Sequence, residues 1–184
     1  MKKFGKIFSL LFVLCLIVSC FGCDCGLKHK EPTSNKYFSF ELLQDNTYAI
    51  SVKEDKKSSL PENVILPSTF NDKAVTVVAM NGFSGTNIKK LSMPDSYTTI
   101  EGYAFEDCKK LEIIEWSESL KTIKQGAFSG CVGLKLTLIF PRSLEKIETK
   151  AFELCTSLTV VELDKDTCTV EEGAFDEMVE VLGF

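Results

Sequence analysis

Arginine, histidine and tryptophan are nearly absent from this chain of 184 residues, which contains one of each. With Arg142 as the only arginine, bidentate phosphate clamps are scarce. His29 lies outside the repeated part of the sequence described below, so a catalytic triad has no obvious base. Neither G-x-x-x-x-G-K nor G-x-G-x-x-G occurs, which removes the usual phosphate cradles. The sequence therefore argues against an enzyme and implies no cofactor.

Basic residues are outnumbered by acidic ones, and the formal net charge is −5. Without the three lysines of the N-terminal leader, 18 basic residues face 26 acidic ones, a net charge of −8. Such a chain disfavours a nucleic-acid partner or an anionic membrane held by charge. The hydrophobic fraction of 45% is that of an ordinary folded domain with a core of its own.

The longest apolar run, residues 7–18, is only 12 residues long. A membrane-spanning helix needs about 20 residues, so this run is too short to cross a bilayer. Because Lys2, Lys3 and Lys6 precede it, we interpret residues 1–19 as a signal peptide. An ordinary cleaved signal without lipid attachment and a buried helix are the alternatives.

The leader ends in Leu16-Ile17-Val18-Ser19-Cys20, which resembles the lipobox of bacterial lipoproteins. The resemblance implies that Cys20 is diacylated and becomes the first residue of a protein anchored in the bacterial envelope. Cys23, which follows Gly22, is a poorer alternative. Two acyl chains anchor a protein stably, since each buried methylene contributes about 0.8 kcal/mol. Residues 20–36 contain glycine, proline and serine and few apolar residues, and we expect a flexible tether there.

Residues 37–74 are expected to form an N-terminal β cap and a lead-in to the repeats. Apolar residues alternate on both sides of the turn-prone Gln44-Asp45-Asn46, which predicts a hairpin within residues 37–53. A further strand is predicted at residues 64–66, where Pro67 ends it.

Residues 75–184 repeat with a period of 22 to 24 residues. The repeat is aligned on five phenylalanines: Phe83, Phe105, Phe128, Phe152 and Phe175. A branched apolar residue stands five positions before each: Val78, Ile100, Ile123, Ile147 and Val170. Cysteine stands three positions after the middle three: Cys108, Cys131 and Cys155. A period of this length is typical of a solenoid, whose core closes only when neighbouring units stack.

Each unit is expected to contain one short strand and one tight turn. Alternating segments such as residues 111–116 predict strands that pair from coil to coil. The AF-x-x-C segment is too short for a standing helix, and we expect a single helical turn there. The third unit has one extra residue between Leu134 and Leu138, which predicts a bulge in its strand.

The repeats LKTIKQGAFSGC and LEKIETKAFELCTSLTVVEL resemble the BspA-like leucine-rich repeat of bacterial surface antigens. The resemblance covers about 110 residues of the chain. It implies a leucine-rich-repeat solenoid, mainly β with short helical turns, with about five repeats preceded by a β-hairpin cap. It also implies a surface-anchored interaction module. The family has no catalytic residues that could be assigned to positions of this sequence.

The repeat cysteines are expected to form a buried column of free thiols at roughly strand spacing, about 5 Å. A disulfide is the alternative, although parallel side-chain directions work against its geometry. Cys168 has no counterpart in the other units and is expected to be exposed. A metal site at Cys23, Cys25 and His29 is disfavoured because the spacing is unusual and a fourth ligand is missing.

A contact patch for a protein ligand is predicted on the strands. Alternation directs one side of each strand outward, and the outward residues are Lys90, Ser92, Ile113, Glu115, Thr137, Ile139, Val160 and Glu162. Three branched apolar residues in adjacent exposed rows exceed what a solubilising face requires, which favours a binding surface. Ordinary β-propensity on a solvated sheet is the alternative.

The sequence thus favours a lipid-anchored protein-interaction module at the bacterial cell surface, binding host or neighbouring-cell proteins such as extracellular-matrix proteins. A structural envelope or periplasmic lipoprotein without an external ligand is the alternative. The last unit lacks its second half, so residues 181–184 are expected to leave an open strand edge that favours self-association, unless the chain continues.

Overall fold

The computed structural model describes residues 31–184. Its strands are β1 (Phe38–Leu42), β2 (Tyr48–Val52), β3 (Asn63–Ile65), β4 (Thr69–Phe70), β5 (Lys73–Val78), β6 (Lys90–Ser92), β7 (Thr99–Ile100), β8 (Ile113–Glu115), β9 (Thr122–Ile123), β10 (Thr137–Ile139), β11 (Lys146–Ile147), β12 (Val160–Leu163), β13 (Thr169–Val170) and β14 (Glu180–Gly183). Two 3₁₀ helices, Asn35–Tyr37 and Glu54–Ser59, complete the regular elements. No helix within this described range is long and apolar enough to cross a membrane.

The molecule is a mainly β solenoid, as the repeats predict. One side of it, here called the front sheet, consists of β3, β6 and β8 followed by β10, β12 and β14. The other side, the back sheet, contains β1, β2, β5, β7, β9, β11 and β13, with β4 paired to β5. All coil-to-coil pairs are parallel, since each coil turns in the same direction. The solenoid fold is confirmed.

The coils number six rather than the five repeats expected. Strand β3, which the sequence predicts as a lead-in, pairs with β6 and so forms the first coil of the front sheet. The repeat strands of the back sheet were not predicted, because they are only two residues long in four of the coils. Each of these short strands ends at the branched apolar residue that precedes the phenylalanine by five positions.

A column of phenylalanine rings fills the core between the two sheets. Phe83, Phe105, Phe128, Phe152 and Phe175 follow one another with ring centroids 5.1 Å apart at every step. The amide of each of the first four donates to the alanine carbonyl of the next coil, at 2.7 to 2.8 Å. The rings and these hydrogen bonds together hold adjacent coils at one fixed spacing.

The AF-x-x-C segments form successive hydrogen-bonded turns instead of the expected helical turn. In the second coil, Cys108 N–H donates to Phe105 C=O at 3.1 Å, a bond between residues three apart. Left-handed backbone occurs two positions before and two positions after the ring, at Tyr103 (φ 56°) and Asp107 (φ 55°). Glycine occupies the same two places in the third coil, Gly126 and Gly130. A helix cannot continue through such residues, which explains the turns.

The predicted hairpin is confirmed and covers the N-terminal end of the core. Strands β1 and β2 are antiparallel, and β2 pairs in parallel with β5. The Phe38 ring lies 6.0 Å from Phe83, so the aromatic column continues into the hairpin. The predicted tether ends earlier than expected, because Thr33 N–H donates to Ile65 C=O at 2.8 Å and its hydroxyl accepts from Ile65 N–H at 2.9 Å.

The repeat cysteines form the expected buried column, and all three are free. Each thiol donates to the phenylalanine carbonyl of the preceding coil: Cys108 to Phe83, Cys131 to Phe105 and Cys155 to Phe128, at 3.1 to 3.2 Å. Thr86 takes the equivalent place in the earlier coil, and its hydroxyl lies 3.3 Å from the Cys108 sulfur. The column therefore continues where the cysteine pattern ends.

The expected exposure of Cys168 is wrong, because the side chain is buried. Cys168 N–H donates to Asp164 C=O at 2.9 Å, which closes a loop one residue longer than that of the preceding coil, where Leu144 N–H donates to Pro141 C=O. The longer loop directs Cys168 into the core, the place that Leu120 and Leu144 fill in the two coils before it.

Because threonine occupies the cysteine position in the coil of Thr86, a threonine substitution tests the hydrogen bonds of the column. We expect Cys131→Thr to leave the free energy of unfolding within about 1 kcal/mol of the parent, since its hydroxyl can donate to Phe105 C=O. Cys131→Val has nearly the same shape and no donor, and should lose about 0.5 to 1.5 kcal/mol more, since Phe105 C=O keeps its bond from Cys108 N–H. Urea denaturation of both variants measures the difference, and equal stabilities would show that the hydrogen bond contributes nothing.

Candidate functional site

The predicted contact residues lie on the front sheet in two blocks. In the first block, Lys90 and Ser92 of β6 stand beside Ile113 and Glu115 of β8. In the second, Thr137 and Ile139 of β10 stand beside Val160 and Glu162 of β12. The two blocks belong to separate three-stranded sheets, so the eight residues do not form the continuous patch that alternation predicts.

In the first block the polar side chains form hydrogen bonds with one another. The Glu115 carboxylate accepts from both the Lys90 ammonium and the Ser92 hydroxyl. Ser92 is consequently buried, which corrects its assignment as an outward, accessible residue. This block offers little beyond a neutralised ion pair and the half-buried Ile113.

The second block is the more exposed and the more apolar. Ile139 is 59% exposed, and Thr137 beside it is exposed as well. Val160 and Glu162 are half-buried. Leu182 of β14 lies in register with Glu162 and is 38% exposed, which adds another apolar side chain to this surface.

A break in the ladder separates the two blocks. At three of the four paired junctions of the front sheet, two successive amides donate to one carbonyl of the preceding coil; Glu112 and Ile113, for example, both donate to Lys89 C=O. Between β8 and β10, within residues 31–184, the backbone bond at this place is the single one from Lys135 N–H to Glu112 C=O, at 3.4 Å. Strands β8 and β10 then continue without pairing.

The extra residue of the third unit explains the break. Leu134 is buried as in the other coils, and so is Leu138, but the segment between them has one residue more than in the second unit. Leu136, inside this segment, is 64% exposed. The sequence predicts a bulge in a paired strand; the structure instead loses the pairing with β8 and keeps that with β12.

The break opens a groove in the front sheet. Its narrow end is a cleft of about 200 Å³ beside the Lys135–Glu112 bond, and its wide end is a cleft of about 400 Å³. Trp116 and Ile139 line both clefts, so the two clefts adjoin each other. The groove is lined by Glu112, Ile113, Ile114, Trp116 and Glu118 on one side and by Lys135, Thr137, Leu138, Ile139, Phe140, Pro141 and Arg142 on the other, with Phe184 at the wide end.

Ile114 and Trp116 alternate with the outward residues Ile113 and Glu115, and both pack against the core. The Trp116 ring meets Phe128 edge-on at 5.7 Å and Phe140 at 5.3 Å. Because β10 does not cover them, both side chains remain half-buried and reach the groove. Alternation along the strand predicts that these side chains face the core, but it does not predict that the neighbouring strand leaves them partly exposed.

The charges of the groove are balanced. Each end has one acidic and one basic residue: Glu112 with Lys135 at the narrow end, and Glu118 with Arg142 at the wide end. The Arg142 guanidinium lies over the Phe184 ring, 5.0 Å from its centroid. The groove therefore has balanced charge and a mixed polar and apolar lining, on a chain whose net charge is −5.

The remaining candidate sites are those for a metal ion and for lipid attachment. Residues 31–184 contain no group of three or more histidine, cysteine, aspartate or glutamate side chains that could hold a metal ion. The candidate lipidation residues Cys20 and Cys23, and the disfavoured metal site with Cys25 and His29, lie outside the described residues.

Comparisons with known proteins agree with this geometry. Residues 76–182 match the model of the BspA type leucine rich repeat region, in six copies. No curated protein matches the chain. Leucine-rich repeats of this kind generally mediate protein binding, and the proteins they resemble here are non-enzymatic repeat proteins.

Three solved structures illustrate the likeness. A leucine-rich repeat protein of T. pallidum is 30% identical with a TM-score of 0.65, over 83% of this chain and 64% of that one. One from Bacteroides capillosus ATCC 29799 is 24% identical with a TM-score of 0.57, over 84% and 99%. A leucine rich cell surface protein from Faecalibacterium prausnitzii A2-165 is 19% identical with a TM-score of 0.54, over 79% and 38%.

The chain spans less than two thirds of the T. pallidum protein and less than half of the F. prausnitzii protein, so the likeness concerns the repeats. Family match, coil count and phenylalanine column all describe one architecture. The chain belongs to the BspA-type leucine-rich repeat family.

Proposed function

We propose that this protein is an adhesin-like interaction module that binds a protein partner through the groove and the adjoining second block of the front sheet. The observation that carries the proposal is the exposed Ile139 beside the half-buried Trp116, at a break in an otherwise regular ladder. Apolar side chains at this density on a folded domain are typical of an interaction site.

The composition of the groove supports a protein partner. Interface cores are enriched in tryptophan, phenylalanine and arginine and depleted in unpaired charge. The only tryptophan and the only arginine of the chain, Trp116 and Arg142, both line the wide end of the groove. Elsewhere the surface has a negative excess, so an acidic partner meets the least repulsion here.

We further propose that the module is displayed on the bacterial surface by a lipid anchor on Cys20, with Cys23 as the alternative. The support is the leader sequence and its lipobox-like end. A relative of the same fold is described as a cell surface protein, which agrees with this location. Two acyl chains would anchor the chain stably, because one alone holds only marginally.

Binding is tested by placing a charge in the exposed apolar surface. We expect Ile139→Lys to weaken binding to a panel of extracellular-matrix and bacterial surface proteins at least about tenfold, or about 1.4 kcal/mol, since an unpaired charge is costly to bury in an apolar contact. Surface plasmon resonance measures the affinities. Leu42→Lys, which charges a similarly exposed residue on the distant hairpin, is the matched control and should bind normally.

Two outcomes would count against the proposal. Equal binding by the parent and a folded Ile139→Lys variant would move the contact surface elsewhere. Full protection of the protein from a protease added to intact cells would favour the structural or periplasmic alternative, because an outward-facing adhesin is accessible and a periplasmic protein is not.

A further inference from the structure

Two opposite charges line the wide end of the groove without forming an ion pair. Glu118 and Arg142 each stand ten positions before a phenylalanine of the ring column, so they occupy equivalent places in adjacent coils. Three residues further along the same two coils, Lys121 and Glu145 have the same separation of 24 residues and do pair, at 2.8 Å. The spacing of the coils therefore permits a bridge at the cleft, yet Glu118 and Arg142 do not form one.

The direction of the arginine side chain explains the missing bridge. The Arg142 guanidinium lies over the Phe184 ring, and it forms no hydrogen bond or ion pair with any other residue in the range 31–184. The Glu118 carboxylate is also without such a partner among the described residues, since only its backbone N–H is bonded, to Asp95 Oδ1 at 2.9 Å. Five N–H donors on one side of the cleft and a carboxylate on the other are thus available to a ligand.

We propose that the wide end of the groove is an anchor pocket for one bulky apolar side chain of the protein partner, flanked in the partner by an acidic group that meets Arg142 and a basic group that meets Glu118. The inference rests on the proposed function and specifies the chemistry of the partner. Residues that dominate binding in protein interfaces are typically tryptophan, tyrosine or arginine seated in well-packed pockets, and they meet similar residues of the partner.

The pocket lies on the surface of two coils that remain joined beneath it. The Trp116 ring packs edge-on against Phe128 at 5.7 Å and lies 5.3 Å from the buried Phe140. The Ser143 hydroxyl donates to Leu120 C=O across the same junction, at 2.8 Å. A side chain can therefore enter from solvent onto a fixed aromatic floor without separating the coils, and little reorganisation opposes binding.

The volume of the cleft suits one side chain rather than a larger element. It measures about 400 Å³, near the lower end of the roughly 300 to 1,000 Å³ of pockets that hold small molecules. Trp116, Phe140 and Pro141 supply apolar surface for an aromatic or aliphatic group. The remaining contacts of the partner then lie on the exposed Ile139 and the second block beside it.

The two charges determine what must flank that side chain. A wholly apolar ligand would cover Arg142 and Glu118 and leave both charges without a partner, which is costly. A ligand with two acidic groups is repelled by Glu118, and one with two basic groups is repelled by Arg142. A partner with one group of each sign satisfies both residues, since complementary charges across an interface favour the correct partner.

The probes are capped tripeptides with a central leucine, flanked by one aspartate and one lysine, by two aspartates or by two lysines. None contains tryptophan, so the fluorescence of Trp116, the only tryptophan of the chain, reports binding at the cleft. We expect the peptide with both charges to bind the full chain at least about threefold more tightly than either like-charged peptide, because one attraction replaces one repulsion. Glycine in place of the central leucine should weaken binding about tenfold, since the buried apolar side chain is lost.

Charge-reversal variants test the two flanking residues. In Arg142→Glu both charges of the cleft are acidic, and the peptide with two lysines should become the preferred one by at least about threefold. In Glu118→Arg the preference should move to the peptide with two aspartates. Lys110→Glu is the matched control, because Lys110 is exposed, lies outside the cleft and changes the net charge as much as Arg142→Glu does; it should keep the preference of the parent. Thermal unfolding shows that the variants fold.

The inference and the proposed function fail differently. Equal affinities of the three charged peptides would overturn the anchor pocket, as would a preference that neither charge-reversal variant changes. Absence of peptide binding, while a protein partner still depends on Ile139, would refute the pocket and leave the interaction function standing. Peptide binding with the expected preferences, while Ile139→Lys leaves partner binding unchanged, would support the pocket and refute the proposed contact surface.

Discussion

Phe128→Ala is expected to lower the free energy of unfolding by about 3 to 5 kcal/mol, the usual loss for a buried phenylalanine. Its ring is fully buried and lies between those of Phe105 and Phe152, 5.1 Å from each. Trp116 also packs edge-on against it at 5.7 Å. The surrounding coils cannot collapse into the cavity, because their hydrogen bonds hold them at the spacing of the rings.

Urea denaturation measures the loss, and Phe184→Ala serves as the control. Phe184 is 46% exposed and contacts Arg142 through a cation–π pair of the kind that contributes under about 1 kcal/mol at such sites. Similar losses in the two variants would show that the ring column does not carry the stability of the solenoid.

Thiol reactivity is the second large effect expected. Burial raises the pKa of Cys155 to about 12 from an ordinary value of 9.0. The neighbouring Cys108 thiol, together with burial, also raises the pKa of Cys131. At pH 8 the thiolate fraction of Cys155 is therefore about a thousandfold below that of an ordinary cysteine, and alkylation should be slowed at least as much.

Iodoacetamide labelling followed by peptide mass spectrometry resolves each cysteine separately. The same reaction in urea is the control, where Cys108, Cys131 and Cys155 should all react at ordinary rates. Cys168, whose pKa burial raises to about 11, should also be slow in the folded protein. Rapid labelling of Cys155 in folded protein would contradict the buried column.

The same pKa shift makes stability depend on pH in the alkaline range. Above about pH 9 a cysteine in the unfolded chain loses its proton, while the folded chain keeps Cys155 protonated up to about pH 12. The unfolded state then binds fewer protons, so the free energy of unfolding falls as pH rises through this window. The slope is about 1.4 kcal/mol per pH unit for each such thiol.

The solenoid could be predicted from the sequence because its core residues recur at fixed spacing. The phenylalanine and branched apolar positions all proved buried or packed against the core, and one period places them in columns. The front strands were predicted for the same reason, since alternation extends over several residues in each. The hairpin was predicted from two alternating segments around a turn.

The two-residue strands and the left-handed backbone positions give no clear sequence pattern within a single repeat unit. Two-residue strands such as Thr99–Ile100 show no alternation, and only pairing with Thr122–Ile123 makes them part of a sheet. Gly126 and Gly130 indicate that the backbone is left-handed two positions before and two positions after the phenylalanine. The same positions also hold Lys150 and Leu154, which rarely adopt that backbone, so the residue types alone do not reveal the pattern.

The groove was predicted least well. The sequence identifies Ile139 as an outward residue and locates the extra residue of the third unit near Leu136. Whether one extra residue bulges from a paired strand or unpairs it depends on the backbone of the neighbouring coil, which no local pattern contains. The sequence-based prediction of the contact patch therefore did not include Trp116 or Arg142, although each is the only residue of its type in the chain.

The continuity of the phenylalanine column has an evolutionary consequence. Because the rings beyond the insertion keep their spacing, a length change in one coil is absorbed where it occurs and does not displace later coils. Repeats of this kind can thus acquire or discard single residues on the exposed side at little risk to folding. Descendants of one array could diversify what they capture by moving such an insertion from one coil to another.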